Sequence, residues 1–166
     1  MSLPHSFLAE LEHEAAGTRR ALALVTPEHA GFKPHPRSFS LGDLAVHVVQ
    51  MHRWIPVTVE TSGMDFAVDD DRAEPFRTTE ELLTRFDAFL AEAKAALAGT
   101  TDAELAEPWT LRNGEQVFFT LPKAVCLRTF VFNHVVHHRA QLLVYLRLLD
   151  IPIPGLYGPS ADEGPG

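Results

Sequence analysis

The sequence predicts an all-α fold, a four-helix bundle with a small β-hairpin between the third and fourth helices. Four segments carry apolar residues at the 3.6-residue helical period, each with one stripe to bury. Proline, glycine and capping residues separate them. The one contrary stretch, Trp109-Thr-Leu-Arg followed by Asn113-Gly114 and Glu-Gln-Val-Phe-Phe, has the chemistry of a hairpin.

The first helix spans about Pro4 to Val25, with Leu8, Leu11, Ala15 and Leu22 on its stripe and Glu10, Glu14 and Arg20 toward water. A loop rich in proline and glycine follows. The second helix starts at Ser40, where Ser40 and Asp43 have capping-box spacing, and reaches about Thr61. Leu44, His47, Met51, Trp54 and Thr58 form its stripe, so His47 faces inward and His52 points away from that stripe. Residues 63–77, with Asp69-Asp70-Asp71, read as an irregular acidic loop. Thr78 and Glu81 start a third helix that ends near Ala98, with the stripe Leu82, Phe86, Phe89, Ala93 and Leu97. The fourth helix runs from Pro122 to about Leu149. One stripe holds Leu127, Phe130, His134, His138, Gln141, Tyr145 and Leu148; the other side carries Phe132, Val136 and Leu143 with Thr129, Arg139 and Arg147. A helix apolar on two sides is expected to be buried on both, the second against another subunit.

A length of 166 residues suits a single domain over residues 1–166. No apolar run is long and uncharged enough for a membrane span. A net charge of −8, with 14 Lys and Arg spread along the chain, excludes a broad nucleic-acid surface. The one cysteine, Cys126, rules out an internal disulfide, and with no signal-peptide pattern at the N-terminus the expected compartment is the cytoplasm.

His134 and His138 are four residues apart, which places both imidazoles on one helix face. His47 lies on the inward stripe of another helix. Three neutral imidazoles suit zinc, nickel, copper or iron and leave a coordination position open. Burying them without a metal would require partners for all their ring nitrogens. Val135 stands where the H-E-x-x-H proteases place their glutamate, so that chemistry is excluded. His137 reads as a flanking residue and Asp43 as a helix cap. Gln141 suits either core packing or a contact with substrate or water. Arg139 reads as an outward-facing residue and Cys126 as a buried apolar one.

Three segments together resemble the DinB family of bacterial proteins: Lys33-Pro-His-Pro-Arg-Ser-Phe-Ser-Leu-Gly-Asp-Leu-Ala-Val-His47, Phe132-Asn-His-Val-Val-His-His-Arg-Ala-Gln-Leu142, and Ile151-Pro-Ile-Pro-Gly-Leu-Tyr-Gly-Pro-Ser-Ala-Asp-Glu163. Ala140 departs from the glycine many relatives have there. The resemblance implies an up-down-down-up bundle, often a homodimer, and a divalent metal, zinc or nickel first among the candidates, held by His47, His134 and His138. It implies a metal-dependent enzyme acting on a small molecule, with a low-molecular-weight thiol S-transferase of the bacillithiol or mycothiol type as the leading reaction. A metal-dependent hydrolase and a non-catalytic, stress-responsive metal-binding protein are the alternatives.

Overall fold

The computed structural model describes residues 2–69 and 74–164. Asp70 and Asp71 of the expected acidic loop lie outside these residues. The chain runs α1 (Leu3–Leu22), α2 (Leu41–Glu60), β1 (Gly63–Asp65), α3 (Thr79–Gly99), α4 (Asp102–Leu105), β2 (Pro108–Asn113), β3 (Gln116–Pro122), α5 (Lys123–Cys126) and α6 (Asn133–Leu148). It is mostly helical, with one small sheet.

Local chemistry explains most of the boundaries. Ser40 caps α2: its Oγ accepts the Asp43 amide at 3.1 Å and donates to Asp43 Oδ2 at 2.7 Å. Thr78 caps α3 by accepting the Glu81 amide. A reciprocal capping box at Thr101 and Glu104 starts the short α4, one turn too brief to show an apolar period. Helix α2 is the central element. It packs against α3, α6 and the sheet, and its stripe residues Leu44, Met51, Trp54 and Thr58 are buried. Helix α1 packs against α3 and α6 through Phe7, Leu11, Ala15 and Leu22.

Three expectations are corrected. First, the hairpin β2–β3 belongs to a three-stranded sheet of order β1-β2-β3. Gly63–Asp65, expected to be loop, pairs parallel with β2. A Cβ at Gly63 would sit 2.5 Å from Thr110 O, so only glycine fits this close approach. Asp65 Oδ1 accepts the amides of Ala67 and Gly114 and so ties β1 to the hairpin turn, where Gly114 has φ +59°. Second, the last helix is interrupted. Between α5 and α6, Leu127–Phe132 winds as a π-helical turn, a wider local geometry found often at functional sites.

Third, Arg139 faces inward and is 1% exposed. It donates from Nη1 to Glu14 O and Thr18 Oγ1, both at 3.0 Å, and from Nη2 to Tyr157 Oη at 2.6 Å, and it pairs with the Glu14 carboxylate. Glu14, expected in water, is drawn in with it. Gly17 lets this happen: Leu156 Cδ2 lies 3.0 Å from where its Cβ would be. The proline-rich tail is thereby strapped over α1 and α6, with Arg20 donating to Gly155 O at 2.7 Å and Arg147 paired with Asp162.

The second apolar side of the last helix is largely covered by its own chain. Phe132 stacks on Phe7 of α1, and Leu143 packs on the core. Val144 and Leu148, the latter expected on the inward stripe, are 57% and 56% exposed. No helix among the described residues is long and apolar enough to cross a membrane.

Candidate metal centre

Helix α2 carries His47 and α6 carries His134 and His138 to one place. One ligand nitrogen from each imidazole lies within 4.8 Å of the others. Ring centroids are 5.1 Å apart for His47–His134, 4.6 Å for His47–His138 and 4.6 Å for His134–His138. The three side chains are partly buried, so the cluster stays within reach of solvent.

The hydrogen bonds define which nitrogen of two rings is free. His134 Nδ1 lies 3.2 Å from Phe130 O, in the π-helical turn, and donates to it. His138 Nδ1 lies 2.7 Å from Gln141 Oε1 and donates to it. Each donation fixes the tautomer and leaves Nε2 as a lone-pair donor, the arrangement common behind metal-binding histidines. Of the two roles open to Gln141 in the sequence, the structure gives it neither alone: it orients His138.

Geometry and charge fit a divalent ion. His47 Nε2 and His134 Nε2 are 3.3 Å apart. Two nitrogens about 2.0–2.1 Å from one tetrahedral zinc ion stand about 3.3–3.4 Å apart. Burial lowers the pKa of all three rings, to about 4 for His47, where neighbouring His138 and His134 add to the effect. Neutral imidazole is the form that ligates.

The other residues fall as follows. His137 is exposed beside His138, with centroids 4.8 Å apart, and is not part of the group. Asp43 lies in the first turn of α2 and is bonded to its cap, Ser40. His52 points away from the cluster, yet it is 2% exposed and packs edge-on against Phe86 of α3, because α2 is buried on nearly every side. Cys126 is fully buried under the sheet with its pKa raised by burial, which suits an apolar role.

Two aromatic walls flank the cluster. On one side Trp54 and Phe130 stack at 4.6 Å and both reach His134. On the other Phe39 lies 5.6 Å from the His47 ring and 6.3 Å from His138. Phe39 is 50% exposed, and although it lies in the Lys33–His47 segment it precedes the helix, so no periodic signal marks it for a role.

The model of the DinB family matches residues 1–164. The chain belongs to the DinB family. Among curated relatives it is 26% identical over 162 residues to the uncharacterized protein YrdA of Bacillus subtilis strain 168, covering 95% of this chain and 89% of that one. Among solved structures it resembles a DinB-like protein of Bacillus cereus ATCC 10987, with TM-score 0.71, 22% identity, and 92% and 97% of the two chains covered. It also resembles the DinB-like protein YjoA of B. subtilis, with TM-score 0.70, 18% identity, and 91% and 96% covered. At these identities the structural likeness speaks for the DinB-like fold alone. The histidine cluster therefore rests on this chain's own geometry.

Proposed function

We propose that this DinB-family chain is a metal-dependent enzyme in which His47, His134 and His138 hold a divalent ion, zinc or nickel. The observation that carries the reading is the convergence of three neutral imidazoles, two of which donate through Nδ1 and so keep a lone pair on Nε2. A divalent ion there would act as a Lewis acid that favours the ionised form of a thiol or of water.

The chain's own residues narrow the reaction. Cys126 is buried away from the histidine cluster, and Asp43 is engaged with Ser40. A nucleophile then comes from a small molecule. We favour a low-molecular-weight thiol of the bacillithiol or mycothiol type, making the protein an S-transferase: the thiol gives its proton to water, its sulfur forms a bond to carbon of an electrophile, the carbon–halogen bond breaks, and halide leaves. Phe39, Trp54 and Phe130 limit water access, while Gln141 and Phe130 O hold the imidazoles in place.

The reading includes a single domain over residues 1–166, an up-down-down-up bundle of the long helices, and a cytoplasmic protein active under stress. It also includes a homodimer joined through the exposed Ala140, Val144 and Leu148 of α6. Sedimentation at micromolar concentration tests that last point, and a monomer removes it.

Elemental analysis of purified protein should find about one divalent ion per chain, and none in the His47→Ala/His134→Ala/His138→Ala variant. Conjugation of bacillithiol to 1-chloro-2,4-dinitrobenzene should be catalysed by the native chain and fall to background in that variant. Equal rates in the two would defeat the transferase reading. Ester hydrolysis without thiol would favour the hydrolase instead.

A further inference from the structure

The loop before α2, the first turns of α2 and the segment before α3 enclose a cleft of about 410 Å³ that borders directly on His47. That volume is in the range of small-molecule sites. Its walls are apolar: Phe39, Val46, Pro75 and Phe76. Phe39 also touches the rings of His47 and His138, so it forms both a wall of the cleft and a side of the metal centre. A phenyl ring left 50% exposed at such a junction keeps its face available to a ligand.

Charge distinguishes one end of the cleft. Asp43 is the one charged group among the described residues that line it, and its side chain is exposed. Asp43 Oδ2 accepts the Ser40 hydroxyl at 2.7 Å, which holds the carboxylate in a fixed direction. His47 follows one helical turn later, so the anionic end and the metal centre lie along one side of the cleft.

We infer that this cleft binds the non-thiol substrate, and that this substrate has a flat apolar body and a cationic or hydrogen-bond-donating end rather than an anionic one. The apolar body lies against Phe39 and Phe76, and the polar end meets Asp43. The reacting carbon then faces His47, His134 and His138. This rests on the metal-centre reading for the chemistry, but the ligand class rests on the cleft alone.

Three probes with the same ring separate the possibilities: benzyltrimethylammonium, benzyl alcohol and phenylmethanesulfonate. The quaternary cation has no lone pair for a metal, so its binding reports the cleft. Amide chemical shifts of the full-length chain, followed by NMR during titration, give the affinity and the location. The cation should bind about fivefold tighter than the sulfonate, as a partly exposed charge pair allows. Shifts should centre on Phe39, Gly42, Val46 and Phe76. Asp43→Asn should bring the cation to the level of the alcohol. Phe39→Ala should weaken all three probes alike, because the ring they share lies against Phe39. Circular dichroism melting checks that each variant folds.

Sulfonate binding as tight as the cation, or shifts elsewhere on the protein, would overturn the inference. Cobalt(II) absorbance in the same samples reads the metal centre separately. Cobalt binding with no probe in the cleft overturns the inference and leaves the metal reading standing. Probe binding as expected without cobalt binding upholds the ligand class and overturns the metal reading.

Discussion

On one side of α6, Arg139 is enclosed by Glu14, Thr18 and Tyr157, and four of its hydrogen bonds and ion pairs go to groups of the same chain. On another side of the same helix, His134 and His138 each make one hydrogen bond through Nδ1, and one ligand nitrogen of each ring lies within 4.8 Å of the others and of one from His47. Both clusters are polar groups set in apolar surroundings, and both join α6 to another helix. They differ in what is left over. Around Arg139 only Nε lacks a partner, and it is the only such fully buried side-chain atom among the described residues. Around the histidines, ligand nitrogens of three partly exposed rings converge, and their nearest polar neighbours there are one another. A polar cluster that satisfies itself holds a fold together, and one that leaves convergent lone pairs is suited to a ligand.

The contrast can be broken from the closed side first. Arg139→Met leaves the Glu14 carboxylate, itself 14% exposed, without its counter-charge. The expected loss is about 3–5 kcal/mol by urea unfolding. A loss below about 1 kcal/mol would mean that the network does not hold α1, α6 and the tail together.

His52 tests whether a third buried polar group belongs with the closed type. Its Nδ1 donates to Val48 O at 3.0 Å. Burial lowers its pKa from 6.5 to about 4, and the positive charge of Arg139 acts in the same direction. The unfolded chain therefore takes up a proton as pH falls below about 6.5, while the folded chain resists until about 4. Stability is complete above pH 6.5 and declines through that window, by up to about 3 kcal/mol. In His52→Leu, the fall in stability between pH 7 and pH 4.5 should be correspondingly smaller; an unchanged pH profile would assign the decline to other groups.

On the open side, Gln141→Ala removes the acceptor behind His138. Metal affinity should fall about 10–100-fold with little change in the melting of metal-free protein. Competition against a chromophoric chelator measures it. Unchanged affinity would return Gln141 to simple packing.

The smallest effect is expected at the rim of the closed cluster, remote from the histidines. Tyr157→Phe removes one hydroxyl that donates to Glu14 and accepts from Arg139, at a cost of about 1 kcal/mol. Metal affinity should not change, since Tyr157 touches only the closed cluster.

Periodicity and capping chemistry made α1, α2 and α3 legible, along with their stripes. They also placed His47, His134 and His138 on inward faces. Those signals are local: 3.6 residues per turn decides which side chains share a face, whatever lies opposite. The sequence therefore determined the first three long helices, the hairpin turn at Gly114 and the three histidines most able to meet. Only the tertiary structure decided what covers each face. Parallel pairing of Gly63–Asp65 with β2 depends on a partner more than forty residues away. Arg139 looked outward because its covering elements, the first helix and the tail, lie far from it in sequence. Gln141's partner His138 is only three residues away, but the direction of its imidazole is settled by packing. Phe39 went unread because a residue in a loop has no period, and its ring acquires a role only when α2 and α6 are brought together beside it.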